Sequence, residues 1–239
     1  MSNTYFQFKE FTVHQEKVAM KVCTDACLFG AWVVDTLMGQ NQKIESVLDI
    51  GAGTGLLSLM IAQKIAAKIV AIEIDEEAAT QAKENFNPSK YAGSLQLIKG
   101  DVRALTVDNK FDLVISNPPF FKDDLKSDDQ KRNLALHSDA LDFEELILLA
   151  KKALTAEGAF AVLLPFFRSD HFVQLAMDQN LFLKQQMLVK QTEKHGYFRS
   201  MLLFTGRKTQ IQTSEMIIKN EGKYSEEFIR LLKDYYLYL

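Results

Sequence analysis

Cysteine, proline and long apolar runs are scarce in this sequence, and their scarcity excludes several classes of protein. The chain has two cysteines, Cys23 and Cys27, four prolines and one tryptophan in 239 residues. No His or Cys cluster lies near the two cysteines, so their spacing indicates packing on one helix face rather than a zinc site or a disulfide. No apolar run could span a bilayer, and residues 1–10 are polar and aromatic, unlike a signal peptide. We therefore expect a cytoplasmic protein without a membrane partner.

The remaining composition is that of an ordinary globular protein. Hydrophobic residues make up 47% and charged residues 25% of the chain, whose length suits one α/β domain with a well-buried core. The net charge of −3 neither indicates nor excludes a nucleic-acid partner, because binding depends on where positive charge is concentrated. We expect a single domain over residues 1–239 and a monomer.

The most informative stretch is an apolar strand that runs into Asn117, Pro118, Pro119 and Phe120. Two prolines remove two backbone donors and fix two φ angles, so neither a helix nor a central strand continues through them. The resulting corner would hold the Asn117 amide and donor-poor carbonyl groups beside the flat ring of Phe120. This arrangement suits a planar substrate with an NH2 group, and the competing interpretation is an ordinary strand terminator.

Three earlier strands also end on residues that could contact a ligand. The first leads into the glycine loop 49–55 and a helix, where backbone can approach a ligand and helix N–H groups are exposed. The loop lacks the Lys-Ser/Thr ending of a phosphate loop and the spacing of a dinucleotide fingerprint. The second strand ends at Glu73, which could bind both hydroxyls of a ribose, and the third ends at Asp101. In an open parallel sheet these ends and Asn117 lie along one edge.

The rest of the chain predicts an α/β alternation with a closing antiparallel pair. Residues 5–13 alternate aromatic and polar side chains and predict a short strand or hairpin, and Thr24 or Asp25 could cap the next helix. Residues 122–139 have no apolar period and predict a functional or disordered loop. The later predicted elements are helices over 143–153 and 170–177 and strands over 159–164, 186–189 and 201–204.

The loop 49–55, the acidic end at Glu73, the Asp101 turn and the Asn-Pro-Pro-Phe corner together resemble class I S-adenosylmethionine-dependent methyltransferases that act on amines. The resemblance implies a Rossmann-like fold, with a mostly parallel seven-stranded sheet, an antiparallel last strand and helices on both faces. It also implies that residues 1–40 close over the cofactor. Further segments are similar to bacterial tRNA1(Val) (adenine(37)-N6)-methyltransferases, namely 20–32, 131–137, 141–146 and 198–203.

The family resemblance implies S-adenosylmethionine as cofactor, S-adenosylhomocysteine as product and no metal. Backbone groups around Gly51 and Gly53 would hold the methionine part, Glu73 the ribose hydroxyls, and Asp101 with Val102 the adenine ring. The other cofactor-binding residues implied are Thr24 and Asp25, which would close over the methionine end, and Asp49, Ala52, Gly55, Ile74 and Asn117.

The catalytic residues implied are Asn117, Pro118, Pro119 and Phe120. The Asn117 side-chain oxygen and the Pro118 carbonyl would accept the hydrogens of an exocyclic amine and aim its lone pair at the methyl group. Phe120 would stack on the base. The substrate implied is the N6 amine of adenine 37 in the anticodon loop of tRNA1(Val). This base is unpaired, so the free energy needed to unstack it is smaller than in a duplex.

A tRNA partner needs a positive surface. Residues 184–208 contain six Lys or Arg and one Glu, six minus one giving +5, and predict a phosphate-binding face, although any single lysine could simply be solvated. The predicted RNA-binding residues are Lys122, Lys126, Lys131, Arg132, Lys194 and Arg199.

Alternative substrates and functions stay open at this point. Adenine-N6 enzymes more often have Tyr at the position of Phe120, and a Phe at this position is also found in guanine-N2 rRNA methyltransferases. In addition, Leu136 occupies a position where a basic residue is expected. A protein glutamine N5-methyltransferase expects an N-terminal helical domain, for which the residues before the first strand leave little room. An alternative of another class is a non-catalytic protein that binds the cofactor or RNA. The intact Asn-Pro-Pro-Phe corner argues against this alternative, because a protein that only binds has no need of that geometry.

Overall fold

The first elements of the fold are an antiparallel hairpin and a long helix. A computed structural model describes residues 3–18, 20–40, 43–105, 110–119 and 142–239. Strands β1 (Tyr5–Gln7) and β2 (Thr12–His14) pair in the hairpin, and helix α1 (Thr24–Gly39) follows. Both predicted elements are therefore confirmed. Among all the residues that the structure describes, no helix is both long enough and apolar enough to cross a membrane.

A central sheet of eight strands is found in the described residues. The strands are β3 (Ser46–Ile50), β4 (Lys68–Glu73), β5 (Leu95–Lys99), β6 (Phe111–Ser116), β7 (Leu154–Pro165), β8 (Phe182–Lys190), β9 (Tyr197–Thr205) and β10 (Gln212–Ile217). Their order is β10-β8-β9-β7-β6-β3-β4-β5. Strands β7, β6, β3, β4 and β5 pair in parallel, whereas β9 runs antiparallel to both of its neighbours.

Helices cover both faces of this sheet. They are α2 (Leu56–Lys64), α3 (Glu76–Phe86), α4 (Phe143–Ala153), α5 (Phe166–Asp178) and α6 (Glu226–Leu232). Short 3-10 turns lie at Ala92–Ser94 and Val102–Ala104, and a small hairpin pairs β11 (Lys219–Asn220) with β12 (Lys223–Tyr224). Because both faces are covered, the central strands are continuous apolar runs rather than alternating ones.

The sheet separates two hydrophobic cores. One contains side chains of α1, α2, α3 and α6 together with the N-terminal hairpin, and the other contains side chains of α4 and α5. Helix α4 begins where a capping box fixes it: Asp142 accepts the N–H of Glu145 at 2.7 Å, and the Glu145 side chain faces the N–H of Asp142. The prediction of a helix over 143–153 is confirmed.

The predicted fold class is confirmed, with two differences in detail. The central sheet contains an eighth strand, β10, which pairs in parallel with β8, so the last strand that the chain adds to this sheet is not the antiparallel one. The predicted helix cap is wrong, because Cys23 occupies the N-cap position without a side-chain hydrogen bond. Thr24 and Asp25 instead lie in the first turn of α1. The assignment of residues 1–239 to one domain stays a prediction.

Candidate active site

A cavity of about 480 Å³ lies where β3, β4, β5 and β6 end. Its size is typical of small-molecule sites. Strand β4, the next strand along the chain, pairs with β3 on one side, whereas β6 pairs with β3 on its other side, so the strand order reverses at β3. Open α/β sheets bind ligands in the crevice at such a reversal of strand order. The predicted site residues that line the cavity are Gly51, Ala52, Gly53, Glu73, Ile74, Asp101, Val102, Asn117, Pro118 and Pro119.

The glycine loop directs its first N–H groups into the protein. The N–H groups of Gly51 and Ala52 donate to the Ile72 carbonyl at 2.9 and 3.1 Å, and that of Gly53 donates to Glu73 Oε2 at 2.8 Å. The N–H groups of these three residues are therefore already used within the protein. The Gly51 and Gly53 carbonyl oxygens remain as backbone groups for a ligand, and such acceptors suit an ammonium group better than a phosphate.

Both carboxylate oxygens of Glu73 are fixed by backbone N–H groups, one from the glycine loop and one from the turn after β4. Its side chain is 8% exposed, with Oε2 accepting the Gly53 N–H and Oε1 accepting the Asp75 N–H at 2.9 Å. Each carboxylate oxygen has a second lone-pair direction. Two acceptor positions therefore remain for two neighbouring hydroxyls, which is the arrangement that a ribose requires.

Gly55 supports the loop from below and does not line the cavity. Its φ is +78°, and a Cβ atom there would lie 2.3 Å from Cε1 of Phe86. Asn85, the residue before Phe86, makes three hydrogen bonds of 2.9 Å. Its Nδ2 donates to the carbonyls of Thr54 and His14, and its Oδ1 accepts the His14 N–H. Asn85 thus joins the glycine loop to the N-terminal hairpin. No sequence motif marks it, so sequence reasoning missed it.

The segment before α1 forms another wall of the cavity. Its lining residues are Lys17, Val18, Met20, Lys21, Val22 and Cys23. Side-chain amides hold this segment in place: Gln15 Oε1 accepts the Val22 N–H at 2.8 Å, and Gln81 Oε1 accepts the N–H groups of Glu16 and Lys17. This placement agrees with the prediction that residues 1–40 close over the cofactor, which stays a prediction.

Thr24 and Asp25 do not line the cavity, and their predicted contact with the cofactor stays a prediction. Asp25 Oδ2 instead accepts Nε of Arg199 at 2.7 Å, in a pair whose side chains are 12% and 26% exposed. A predicted cofactor residue and a predicted RNA residue therefore bind each other. Cys23 does line the cavity, and burial raises the pKa of its thiol to about 12, so the thiol stays protonated.

Asp49 lies behind the cavity, and its predicted cofactor-binding role stays a prediction. It is fully buried and does not line the cavity, because its carboxylate turns toward α2 and accepts Oγ of Ser58 at 2.7 Å. Burial raises its pKa to about 6. Asp49 therefore belongs to the support of the loop rather than to the cavity wall.

Asp101 lies in the cavity wall but already has a cationic partner. The Arg103 guanidinium bonds both carboxylate oxygens, with Nε to Oδ2 at 2.8 Å, and holds the pKa of Asp101 below its usual range. Arg103 was not among the predicted residues, although it lines the cavity. An adenine amine at Asp101 would share the carboxylate with this arginine.

The corner at the end of β6 is fixed by its neighbour in the sheet. Ser116, which is buried, donates Oγ–H to the Ile50 carbonyl at 2.8 Å and so ties the end of β6 to the end of β3. The next residue, Asn117, lines the cavity, and its Oδ1 is buried without a hydrogen-bond partner in the described part of the chain. A buried acceptor without a donor is costly unless a ligand supplies one.

Several predicted residues fall elsewhere. Phe120, Lys122, Lys126, Lys131 and Arg132 lie outside the described residues. Lys194 is exposed, as an RNA contact requires. Other cations of the predicted phosphate-binding face have acidic partners: Lys190 with Glu215, Arg199 with Asp25 and Arg207 with Glu157. Within the ranges that the structure describes, no group of three or more His, Cys, Asp or Glu could hold a metal ion.

Comparisons with known proteins identify the family of this chain. The methyltransferase small domain family matches residues 19–194. Two curated relatives named tRNA1(Val) (adenine(37)-N6)-methyltransferase are 38% identical over 99% of both chains, from Bacteroides fragilis, and 40% identical over 100% of both chains, from Bacteroides thetaiotaomicron.

Among solved structures, a predicted O-methyltransferase from Agrobacterium tumefaciens aligns with a TM-score of 0.67 at 16% identity, covering 88% of this chain and 96% of that one. That likeness supports the methyltransferase fold alone. The full-length identity to the curated relatives goes further, and it confirms the resemblance seen in the motifs. The chain belongs to the tRNA1(Val) (adenine(37)-N6)-methyltransferase family.

Proposed function

We propose that this protein transfers the methyl group of S-adenosylmethionine to the N6 amine of adenine 37 in the anticodon loop of tRNA1(Val). The names of its full-length relatives support the base, the position and the tRNA. The observation that carries the proposal is Asn117 Oδ1, a buried acceptor without a partner among the described residues, in the wall that also contains Glu73.

The chain has suitable groups for each part of the cofactor. The free lone pairs of the Glu73 carboxylate would accept the two ribose hydroxyls, and the carbonyl oxygens of Gly51 and Gly53 would accept the methionine ammonium group. Asp101 would accept the adenine amine beside Arg103, with the Val102 backbone next to it. When bound, S-adenosylmethionine supplies a methyl group on a sulfonium, which is already a good leaving group.

Asn117 and Pro118 would then orient the nucleophile. The nitrogen of an exocyclic amine is a poor nucleophile while its lone pair is delocalised into the ring. If Asn117 Oδ1 and the Pro118 carbonyl each accept a hydrogen bond from one of the two amine N–H groups, the nitrogen becomes pyramidal and its lone pair points at the methyl carbon. With the lone pair so directed, a nitrogen–carbon bond would form as the carbon–sulfur bond breaks, with that electron pair going to sulfur. The amine proton then leaves to water.

The two acceptors act on the transition state more than on the ground state. Positive charge develops on the amine nitrogen as the new bond forms, and hydrogen bonds to its N–H groups strengthen with that charge. Removing one such preorganised partner costs about 10²–10³ in kcat. We propose that Phe120 stacks on the adenine ring and so fixes its plane.

The remaining predictions belong to the same proposal. The methyltransferase acts on RNA as its family does, and we propose the unpaired anticodon loop as the part that enters the corner. We further propose that residues 1–239 form one domain, that the protein is a monomer and that it acts in the cytoplasm, where it meets tRNA.

The proposal is tested by methyl transfer to unmodified tRNA. Labelled S-adenosylmethionine is incubated with the protein and tRNA, and the product is digested to nucleosides and identified by mass. We expect N6-methyladenosine at position 37 of tRNA1(Val). Detection of N2-methylguanosine, or label accepted only by ribosomal RNA or protein, would contradict the proposed substrate.

A matched pair of variants tests the role of Asn117. Asn117→Ala should lower kcat by about 100-fold or more, while calorimetry should find cofactor affinity within a few-fold of wild type. Asn220→Ala, in the exposed hairpin of β11 and β12, is the control and should leave both unchanged. Equal loss of turnover and cofactor affinity in Asn117→Ala would contradict the assigned role.

A further inference from the structure

The strand next to the corner continues past it and ends in a pair of phenylalanines. Strands β6 and β7 pair in register at Ser116 and Val162, after which β7 continues to Pro165. Three residues of strand add about 10 Å at about 3.3 Å each. Helix α5 then starts at once with Phe166 and Phe167. These aromatic residues therefore stand on the same edge of the sheet as Asn117, beyond the corner.

Both phenylalanines reach solvent in the first turn of α5. Phe167 is 69% exposed and Phe166 is 37% exposed, whereas Phe172 farther along the same helix is fully buried. An exposed aromatic pair forgoes the burial that stabilises an interior ring. Single exposed apolar residues are ordinary, but a contiguous aromatic patch beside an active site indicates a binding surface.

A bulge adds a third aromatic ring to this patch. Val189 pairs with Arg199, but Lys190 pairs with Tyr197, so Phe198 is an extra residue in β9. A bulge re-aims the side chains that follow it, and here the Tyr197 ring lies 5.1 Å from that of Phe166. Lys190 lies 4.2 Å from the centroid of the Tyr197 ring, and the Tyr197 hydroxyl donates to Glu215. The Phe166 ring therefore packs against the Tyr197 ring, whose position is fixed by its contacts with Lys190 and Glu215.

A cation lies against Phe167, the more exposed of the two phenylalanines. The guanidinium carbon of Arg168 is 5.6 Å from the ring centroid of Phe167 and 5.9 Å from that of Phe143. An arginine in this position stacks on aromatic faces and can contact a phosphate with its N–H groups. The patch therefore joins flat apolar surfaces with positive charge, the combination that binds single-stranded nucleic acid.

We propose that this aromatic rim, defined as Phe166, Phe167, Arg168 and Tyr197, binds the nucleotides that flank the target base. It rests on the proposed function, because it extends the surface around the corner that receives the adenine. One flanking base stacks on Phe167, and a neighbouring phosphate contacts Arg168. The unpaired bases of an anticodon loop have free π faces for such stacking. Continuity with the corner and the interleaved cation favour RNA over an apolar protein partner.

Binding of an unmodified anticodon stem-loop RNA tests the rim. We expect Phe167→Ala to weaken binding by roughly 5- to 150-fold, the range for loss of one base-stacking contact. Phe167→Tyr keeps a flat ring and should bind within about twofold of wild type, whereas Phe167→Leu should resemble Phe167→Ala. Met38→Ala is the control for an exposed apolar side chain, since Met38 is 54% exposed and lies near the far end of α1 from the cavity.

The same variants separate the rim from the proposed function. In methyl transfer at saturating cofactor, Phe167→Ala should raise the KM for the RNA, while its cofactor affinity and melting temperature match wild type. Unchanged RNA binding and RNA KM in Phe167→Ala would overturn the rim, and so would equal losses in Phe167→Ala and Phe167→Tyr. The nucleoside that the wild-type enzyme produces decides the proposed function independently of these ratios.

Discussion

Replacing Asp49 with Asn should flatten the dependence of stability on pH. Asp49 is fully buried; Oδ2 accepts Ser58 Oγ, and Oδ1 has no partner among the described residues. Burial is the main reason that its pKa rises from 3.8 to about 6, and repulsion from Glu73 adds to it. Folding therefore disfavours the charged form of this side chain.

The sign and size of the effect follow from these two pKa values. Below pH 3.8 Asp49 is protonated in both the folded and the unfolded state, and above about pH 6 it is charged in both. Between them the folded chain binds more protons, so this group lowers the free energy of unfolding as pH rises. The gap amounts to about 3 kcal/mol, of which about 2 kcal/mol develops between pH 4.5 and pH 8.

Urea denaturation of wild type and Asp49→Asn at these two pH values measures this difference. The asparagine amide can cost a constant amount if its Nδ2 finds no acceptor, so the informative quantity is the change between the two pH values. Relative to wild type, we expect the variant to gain about 2 kcal/mol on going from pH 4.5 to pH 8, or about 4–8 °C in melting temperature.

Glu193→Gln, which changes an exposed carboxylate, is the control and should follow the wild-type pH dependence. If Asp49→Asn also ran parallel to wild type across the pH range, the charge on Asp49 would not oppose folding. The argument from its burial would then be wrong.

Four further predictions concern the loop and the RNA surface. Glu73→Gln should weaken cofactor affinity at least about tenfold, measured by calorimetry, because an amide donor would face the N–H of Gly53 or Asp75. Gly55→Ala should lower the free energy of unfolding by about 1–3 kcal/mol in urea, and Phe86→Leu should recover part of that loss. Lys194→Gln should reduce the slope of log affinity for RNA against log salt by about 0.7. Arg199→Gln should leave that slope unchanged and instead destabilise the fold, since Arg199 is paired with Asp25.

Local sequence signals were sufficient to predict the strand ends that meet at the cavity. The glycine loop, Glu73, Asp101 and the proline corner each follow an apolar strand, and the parallel sheet aligns them. Strand β10 could not be found in this way, because its first four residues, Gln212 to Glu215, are polar and exposed. Its place in the sheet comes from pairing with β8 rather than from an apolar pattern.

A charge count along the sequence omits the partners that folding supplies. The window 184–208 contains one acidic residue, but folding brings in the carboxylates of Asp25, Glu157 and Glu215, all from outside the window. A count of neighbours in sequence cannot include partners on other strands and helices. Asn85 was missed on the same grounds, because its three hydrogen bonds reach His14 and Thr54, which are distant in sequence.

The glycine loop shows most clearly why a motif needs its surroundings. A strand, a glycine turn and a helix can bind either an anion through N–H groups or a cation through carbonyl groups. Here the Ile72 carbonyl and the Glu73 carboxylate accept the N–H groups of Gly51, Ala52 and Gly53, and the Ala52 carbonyl accepts the Gly55 N–H, so the loop offers a ligand the carbonyl oxygens of Gly51 and Gly53.

Glu73 therefore has two functions that cannot be separated by a single substitution. Its carboxylate accepts the N–H groups of Gly53 and Asp75, and under the proposed function its remaining lone pairs accept the ribose hydroxyls. A variant that removes the charge should lose affinity for the methionine part of the cofactor as well as for the ribose. Binding of adenosine alone distinguishes the two contributions: the loss for adenosine should be smaller than the loss for S-adenosylhomocysteine. Equal losses for both ligands would show that the loop keeps its shape without Glu73.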